Sequence, residues 1–349
     1  MANRRTSDLA DRPPVLLCGS IPLQDTSAVM HAESEALGDR LSRVPDGETG
    51  ARTNWIGWQH AVFASQQEFE QIKAPQRDYQ LQPPYRLKPG ARPDDIDFGE
   101  LGYAVVAATS YEAFRDRRAA GAFRSDARFQ VCLPTPFAPV YAFTDYDTQE
   151  AIYPRYEAAM LAELAVIADQ IPARDLAIQW DVATEMSLFE RVYPAPMDDP
   201  DRELMTRLCR LGEAVPEGAE LGFHLCYGSM NNRHWKEPDD LGKLVWVSNG
   251  LAAGIGRPID WIHMPVPIDR EDDAFFAPLA SLQIDGATEL YLGLLHLSDG
   301  IEGAHRRAAT ARKVREAFGI AAECGFGRMS VAEATGLLDL HRMAADDLG

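Results

Sequence analysis

From Phe129 onward the chain alternates between two periodicities. Short apolar runs bounded by turn residues take turns with longer stretches of helical spacing. The apolar runs are FQVCLP (129–134), LAIQWD (176–181), ELGFHLC (220–226), DWIHM (260–264), ELYLGLL (289–295) and FGIAAE (318–323). Helices are expected over 148–169, 201–214, 238–253, 272–282, 301–318 and 330–346. A strand apolar on both faces must be covered on both faces, and parallel neighbours need a crossover long enough to hold a helix. Upstream, VLLCGS (15–20) and a weaker run at 41–45 add two strands, with helices at 27–42 and 103–123. The total of about eight fits a closed (β/α)8 TIM barrel. A doubly wound open sheet is the competing arrangement, and it lacks the GxGxxG turn after its first strand.

The chain has 349 residues, of which 46% are hydrophobic and 25% charged. That length accommodates one barrel over 14–349 behind a polar tail at 1–13. The segment 66–97, rich in Pro, Gln, Arg and Tyr, reads as an inserted lid. A net charge of −19 repels phosphate backbones and anionic lipid, so nucleic acid and membranes are not expected partners. No run reaches the ~18 apolar residues of a spanning helix, and MANRRTSDLADRPP lacks the apolar core of a signal peptide. A cytoplasmic location is the expectation. The oligomeric state is open. Five scattered cysteines, an odd number, suit thiols or metal ligands better than a disulfide framework.

Every strand candidate ends in polar or reactive groups. These are Gly19 and Ser20; Asp46, Gly47 and Glu48; Pro134 and Thr135; Asp181; His224 and Cys226; His263; His296, Ser298 and Asp299; and Cys324. In a barrel these ends converge on one face, where active sites lie. Residues two apart on a strand face the same side, so His224 and Cys226 are placed to share one ion. Zinc takes imidazole nitrogen and thiolate sulfur at ~2.0–2.3 Å. A buried His-x-Cys pair by itself is more often core packing. Cys324 and His263 at other strand ends shift the balance toward a site.

In this setting the chain resembles the catalytic barrel of the cobalamin-independent methionine synthase family, within the larger superfamily that includes uroporphyrinogen decarboxylase. His224-Leu225-Cys226-Tyr227 is similar to the family's H-x-C-Y zinc strand, and Glu323-Cys324-Gly325 to its D-C-G turn. Gly19-Ser20-Ile21-Pro22-Leu23-Gln24 resembles the opening G-S-F-P-Q-T, and Gly47-Glu48 with Arg52 the G-E-x-x-R segment. Ile178 to Asp181 resembles an I-D-E-P-like strand end, and His296-Leu297-Ser298 the family's late histidine. The matches run in order from about residue 15 to 328.

The resemblance implies Zn2+ bound by His224, Cys226 and Cys324, and alkyl transfer from a donor to a homocysteine-like thiol. It implies that Ser20, Glu48 and Asp181 hold the amino-acid part of the thiol and that His296 supplies a proton near the donor. The family's remaining ligand is a glutamate at the end of the sixth strand. Here that position holds His263, which either completes the zinc site or marks its loss. No counterpart of the duplicated N-terminal barrel of full-length methionine synthases is expected from these 349 residues. Tyr141, Trp55 and Trp58 are candidates to stack on a flat donor such as a folate, or else pack. Asp46 with Glu48 could form an acid–base pair. Asn231, Asn232, Arg233 and His234 form a polar loop in which Arg233 could pair with a carboxylate. Cys18, Cys132 and Cys209 read as packing residues, as do His31, His60, His305 and His341. Two alternatives stand beside methyl transfer: a metal-free lyase or decarboxylase using Asp181 and His296, and a binding protein that has lost catalysis.

Overall fold

The structure is a computed structural model that describes residues 12–73, 82–228 and 233–348. Seven parallel strands form one curled sheet in the order β1 (Arg43–Pro45), β4 (Arg128–Pro134), β5 (Leu176–Val182), β6 (Glu220–Leu225), β7 (Trp261–Pro265), β8 (Glu289–Leu295) and β9 (Gly319–Ala322). Helices follow the strands and bury the apolar outer face. Examples are Tyr146–Gln170, Pro200–Ala214, Gly242–Gly254, Gly300–Arg312 and Val331–Asp347. The expected alternation is present, with most boundaries shifted by a few residues. The helix expected over 272–282 is a short turn at Asp273–Phe276 followed by a 3-10 segment at Ala277–Ser281.

The first expected strand, 15–20, is not a regular strand. Val15 alone makes parallel bridges, to Leu41 beside β1 and to Ile320 in β9. Leu16 N–H donates to Ile320 O, and Ile320 N–H to Pro14 O. Beyond that point side chains take over. Gln130 Nε2 donates to the carbonyl of Leu17 and Gln179 Nε2 to that of Cys18. These amides occupy acceptors that a ladder would need, so regular pairing stops after one residue. The arrangement is consistent with a TIM-type barrel in which the first strand has shrunk to this bridge.

The 66–97 segment holds a two-stranded antiparallel ribbon, β2 (Phe69–Gln71) with β3 (Tyr85–Leu87). Residues 74–81 of the expected lid lie outside the described residues. The ribbon docks at the end of the short helix Phe137–Phe143: Tyr85 bridges Thr144, and Asp145 N–H donates to Tyr85 O. Phe63, Phe69, Phe98 and Phe143 form an aromatic cluster beneath. Among the described residues no helix is long and apolar enough to cross a membrane.

Candidate active site at the C-terminal ends of the strands

Parallel pairing sets three reactive groups side by side. Asp181 in β5 is in register with His224 in β6, which is in register with His263 in β7. Registered residues on neighbouring parallel strands point to the same face, so the row is a consequence of the pairing. Cys226, two residues beyond His224, shares its face. Cys324 arrives from the turn after β9. The two sulfurs lie 3.6 Å apart. That is far beyond the ~2.05 Å of a disulfide and close to the ~3.8 Å that two ~2.3 Å Zn–S bonds subtend in a tetrahedron. A ring nitrogen of His224 lies within 4.8 Å of both sulfurs.

The donor set fits a metal for a second reason. Nε2 of His224 is buried and has no hydrogen-bond partner. A buried polar atom without a partner is costly, and an ion is one way to satisfy it. Without an ion the group is electrostatically tense. Burial opposes the charge on His224, but the thiols of Cys18 and Cys226 outweigh it and hold the imidazole well above its usual range. The bond with Cys324, and then burial, push the Cys226 thiol well up. Burial, reinforced by neighbouring His224, holds His263 well below the usual range.

His263 is placed differently from the other three. Its Nδ1 lies 2.7 Å from Nδ1 of His224, and its Nε2 lies 3.0 Å from the carbonyl of Ala322. Both nitrogens are therefore engaged within the protein. Cys18, expected to be packing, has a ligand atom within 4.8 Å of His224 and His263. Its thiol faces the same Ala322 carbonyl. The only sequence signal for Cys18 was its place two residues before Ser20.

The turn that delivers Cys324 is clamped by Ser20. Phe326 N–H donates to Ser20 O and Gly327 N–H to Ser20 Oγ. A Cβ on Gly325 would come within 2.5 Å of Ser20 Oγ, so only glycine permits this approach. Ser20 also lines the cavity below the sulfurs.

That cavity has a volume of about 110 Å³ and is bounded on its polar side by Glu48, Asp181, His224, Cys226 and Cys324. Glu48 and Trp55 both line it, and both hold left-handed backbone, with φ of 45° and 49°. Strain at non-glycine residues of this kind gathers at functional sites. Trp55 Nε1 and Gln179 Nε2 donate to the two oxygens of Asp181. Burial is the main reason that Asp181 is raised to about 6. Burial and the nearby Asp181 charge hold Glu48 well above its usual range. Arg52 offsets the Glu48 charge only in part, because its two hydrogen bonds, 3.1 and 2.7 Å, go to Asp46. Asp46 also accepts from Ser110 and from the backbone of Glu48. Its oxygens are committed to shaping the turn, which leaves no acid–base pairing with Glu48.

A second cavity, about 100 Å³, adjoins the first and shares Trp55, Ile56, Ala142, Ala183 and Gly228 with it. Tyr141, Tyr193 and Trp235 add an aromatic wall. Trp58 instead packs edge-on against Tyr103. A third and larger cavity, about 700 Å³, lies on the other side of Cys324 and is lined by Arg233, His234, His296 and Glu323. Nε2 of His296 donates to the carbonyl of Val266, which leaves Nδ1 facing Glu323 at 3.6 Å. His234 approaches the same carboxyl at 3.5 Å. Burial, with Arg307 nearby, lowers His296 to about 4, and burial raises Glu323 well above its usual range. Asn231 and Asn232 lie outside the described residues.

No family model matches the chain, and no curated protein matches it in sequence. Solved structures do match in three dimensions. A B12-independent methionine synthase from Shewanella sp. W3-18-1, in complex with selenomethionine, superposes with a TM-score of 0.62 at 14% identity, covering 97% of this chain and 98% of that one. The fold is that of cobalamin-independent methionine synthases. A candidate vitamin B12-independent methionine synthase from Listeria monocytogenes superposes with a TM-score of 0.57, also at 14% identity, covering 93% of this chain and 86% of that one. The likeness extends over nearly the whole chain, as the collinear sequence matches anticipated.

Proposed function

We propose that this chain is a zinc-dependent methyltransferase, built as one (β/α)8 barrel over 14–349, that methylates the sulfur of a homocysteine-like aminothiol. The observation that carries the reading is the meeting of an unpartnered imidazole nitrogen and two thiol sulfurs beside two buried carboxyl groups. His224, Cys226 and Cys324 would hold the zinc, which when bound keeps the acceptor sulfur as a thiolate at neutral pH.

The chain's own residues supply the rest. Asp181 and Glu48 receive the acceptor's ammonium group, whose charge favours ionisation of both carboxyls. Trp55 and Gln179 fix the Asp181 carboxylate in place. Ser20 holds the Cys324 turn and so the spacing of the two sulfurs. The small cavity excludes bulk water and aligns the sulfur with the incoming methyl group. Cys324 borders both this cavity and the large one, which supports entry of the methyl donor from the large side. Tyr141 and Trp55 in the aromatic cavity offer a second surface for a flat donor such as a folate. The methyl carbon leaves the donor with its bonding pair left behind and forms a bond to sulfur. The pair left on the donor takes a proton from His296 and Glu323, which hold one between them.

The test is methyl transfer to homocysteine from a panel of methyl donors, before and after zinc removal by a chelator. Turnover that disappears with the metal and returns with added zinc is expected. Undiminished transfer by metal-free protein, or decarboxylation in its place, contradicts the reading.

A further inference from the structure

We infer that His263 is a positioning residue that fixes the ring of His224 and the strand carrying Cys324, and that the protein's share of the metal sphere is one imidazole and two sulfurs. The inference rests on the zinc reading above and sharpens it. A histidine at the position of the family's glutamate invites assignment as a fourth ligand, but the hydrogen bonds say otherwise.

Donor and acceptor capacity decides the matter atom by atom. The carbonyl of Ala322 only accepts, so Nε2 of His263 carries a proton toward it at 3.0 Å. Only one of the two facing Nδ1 atoms can carry a hydrogen at 2.7 Å, and a second proton on His263, 0% exposed, would bury a cation whose partners are an imidazole and a carbonyl. Its Nδ1 therefore has a lone pair, which must accept from His224 across 2.7 Å. That places a proton on Nδ1 of His224 and leaves Nε2, the buried atom without a partner, as the nitrogen free for a metal. The second ring nitrogen of a metal-bound histidine commonly donates to a neighbour that sets its tautomer and orientation. Here the neighbour is another imidazole. The far end of that imidazole is anchored on Ala322, two residues before Cys324. One side chain on β7 thus ties β6, which carries His224 and leads into Cys226, to β9, which delivers Cys324. With three protein ligands a tetrahedral ion keeps one position for the acceptor's sulfur. The fourth place belongs to substrate, and the set is less negative by one carboxylate than one that includes glutamate.

The experiment compares the full-length protein with His263→Leu and His263→Asn. Metal affinity is measured by competition with a chelator, and the ligand set by X-ray absorption of the zinc-loaded protein. One zinc with two sulfurs and a single imidazole is expected in the parent. Leucine should weaken binding by about 10- to 100-fold, the usual cost of losing such a partner, with the sulfur and imidazole counts unchanged. Asparagine, which can still accept from His224, should recover much of the loss. Selective nitrogen-15 labelling of histidine in the parent gives a reading that needs no variant: His263 should be protonated on Nε2 and His224 on Nδ1. Two imidazoles on the metal, with one lost in the leucine variant, would overturn the inference while sparing the zinc reading. So would unchanged affinity in that variant, or the opposite tautomers. A parent protein that binds no zinc would overturn both.

Discussion

The two ends of the sheet carry polar clusters built on opposite terms. At the floor, where the strands begin, Arg43 donates to Glu220 and to Glu289 at 2.7 Å each, and to Tyr291 at 3.3 Å. Its guanidinium also lies over the ring of Trp261. A deeply buried cation is thus matched by two carboxylates, with Arg128 helping to balance Glu220. At the mouth, where the strands end, Glu48 and Asp181 are equally buried, and Arg52 gives its hydrogen bonds to Asp46. The floor completes its charges internally. Among the described residues, the mouth leaves one imidazole nitrogen without a partner and two buried carboxyls without a bonded cation. The same interior can host both because burial penalises only what is unpaired. A floor whose charges are paired is closed on itself; a mouth with an unpartnered nitrogen has a place for the proposed ion.

The largest separation between the ends should come from a pair of substitutions. Cys226→Ser should abolish zinc binding and methyl transfer while the melting temperature of the zinc-free protein changes little. Arg43→Leu should do the reverse: it removes the buried cation that two carboxylates share and should cost about 3–5 kcal/mol of stability, measured by denaturant unfolding, with zinc stoichiometry intact in the folded protein. If both variants lose both properties, the two ends are not independent.

Next in size is Asp181→Asn. Losing a buried carboxylate that faces an ammonium should weaken binding of the aminothiol by about 2 kcal/mol or more. Stability should change little, since the desolvation of a buried acid is relieved while one of its two hydrogen-bonded oxygens is lost. Isothermal titration of acceptor binding alongside thermal melts checks both halves. The pH dependence follows from the same group. Asp181 titrates near pH 6 in the free protein, so acceptor affinity should climb as pH rises through 6 and level off above it. A profile flat from pH 5 to 7.5 would break the link between that carboxylate and the ligand.

The smallest effect concerns Glu185, which is fully buried outside the floor cluster and raised by burial from 4.5 to about 7. The folded state binds its proton more tightly than the unfolded state does. Its contribution is therefore fully present below about pH 4.5 and is lost as pH climbs past 7. Glu185→Gln should flatten that part of the stability profile, as read from melting temperatures between pH 5 and 8.

Much of this was legible in the amino-acid order. Strand–helix alternation specified a parallel sheet because apolar faces on both sides admit few other solutions. The spacing of His224 and Cys226 specified a shared face because strands have a period of two. The pairing of His224 with His263 was not legible, since register between strands 39 residues apart in sequence depends on tertiary packing. The same holds for Arg52, known from the sequence only as part of the G-E-x-x-R likeness, which the turn folds onto Asp46. Cys18 looked like core because its segment reads as a plain apolar strand. Nothing local showed that Gln130 and Gln179 would take over that segment's carbonyls and open it toward the site. Glu323 was legible only as part of the Cys324 turn, because its neighbours, His234 and His296, come from distant loops.

The central claim is that His224, Cys226 and Cys324 meet around a single ion. Zinc stoichiometry by elemental analysis, on protein stripped of metal and then dialysed against buffered zinc, tests it most directly when run beside Cys226→Ser and Cys324→Ser. About one zinc per chain is expected in the parent, and none held tightly by either variant. A parent that returns empty, or variants that retain a full complement, would contradict it.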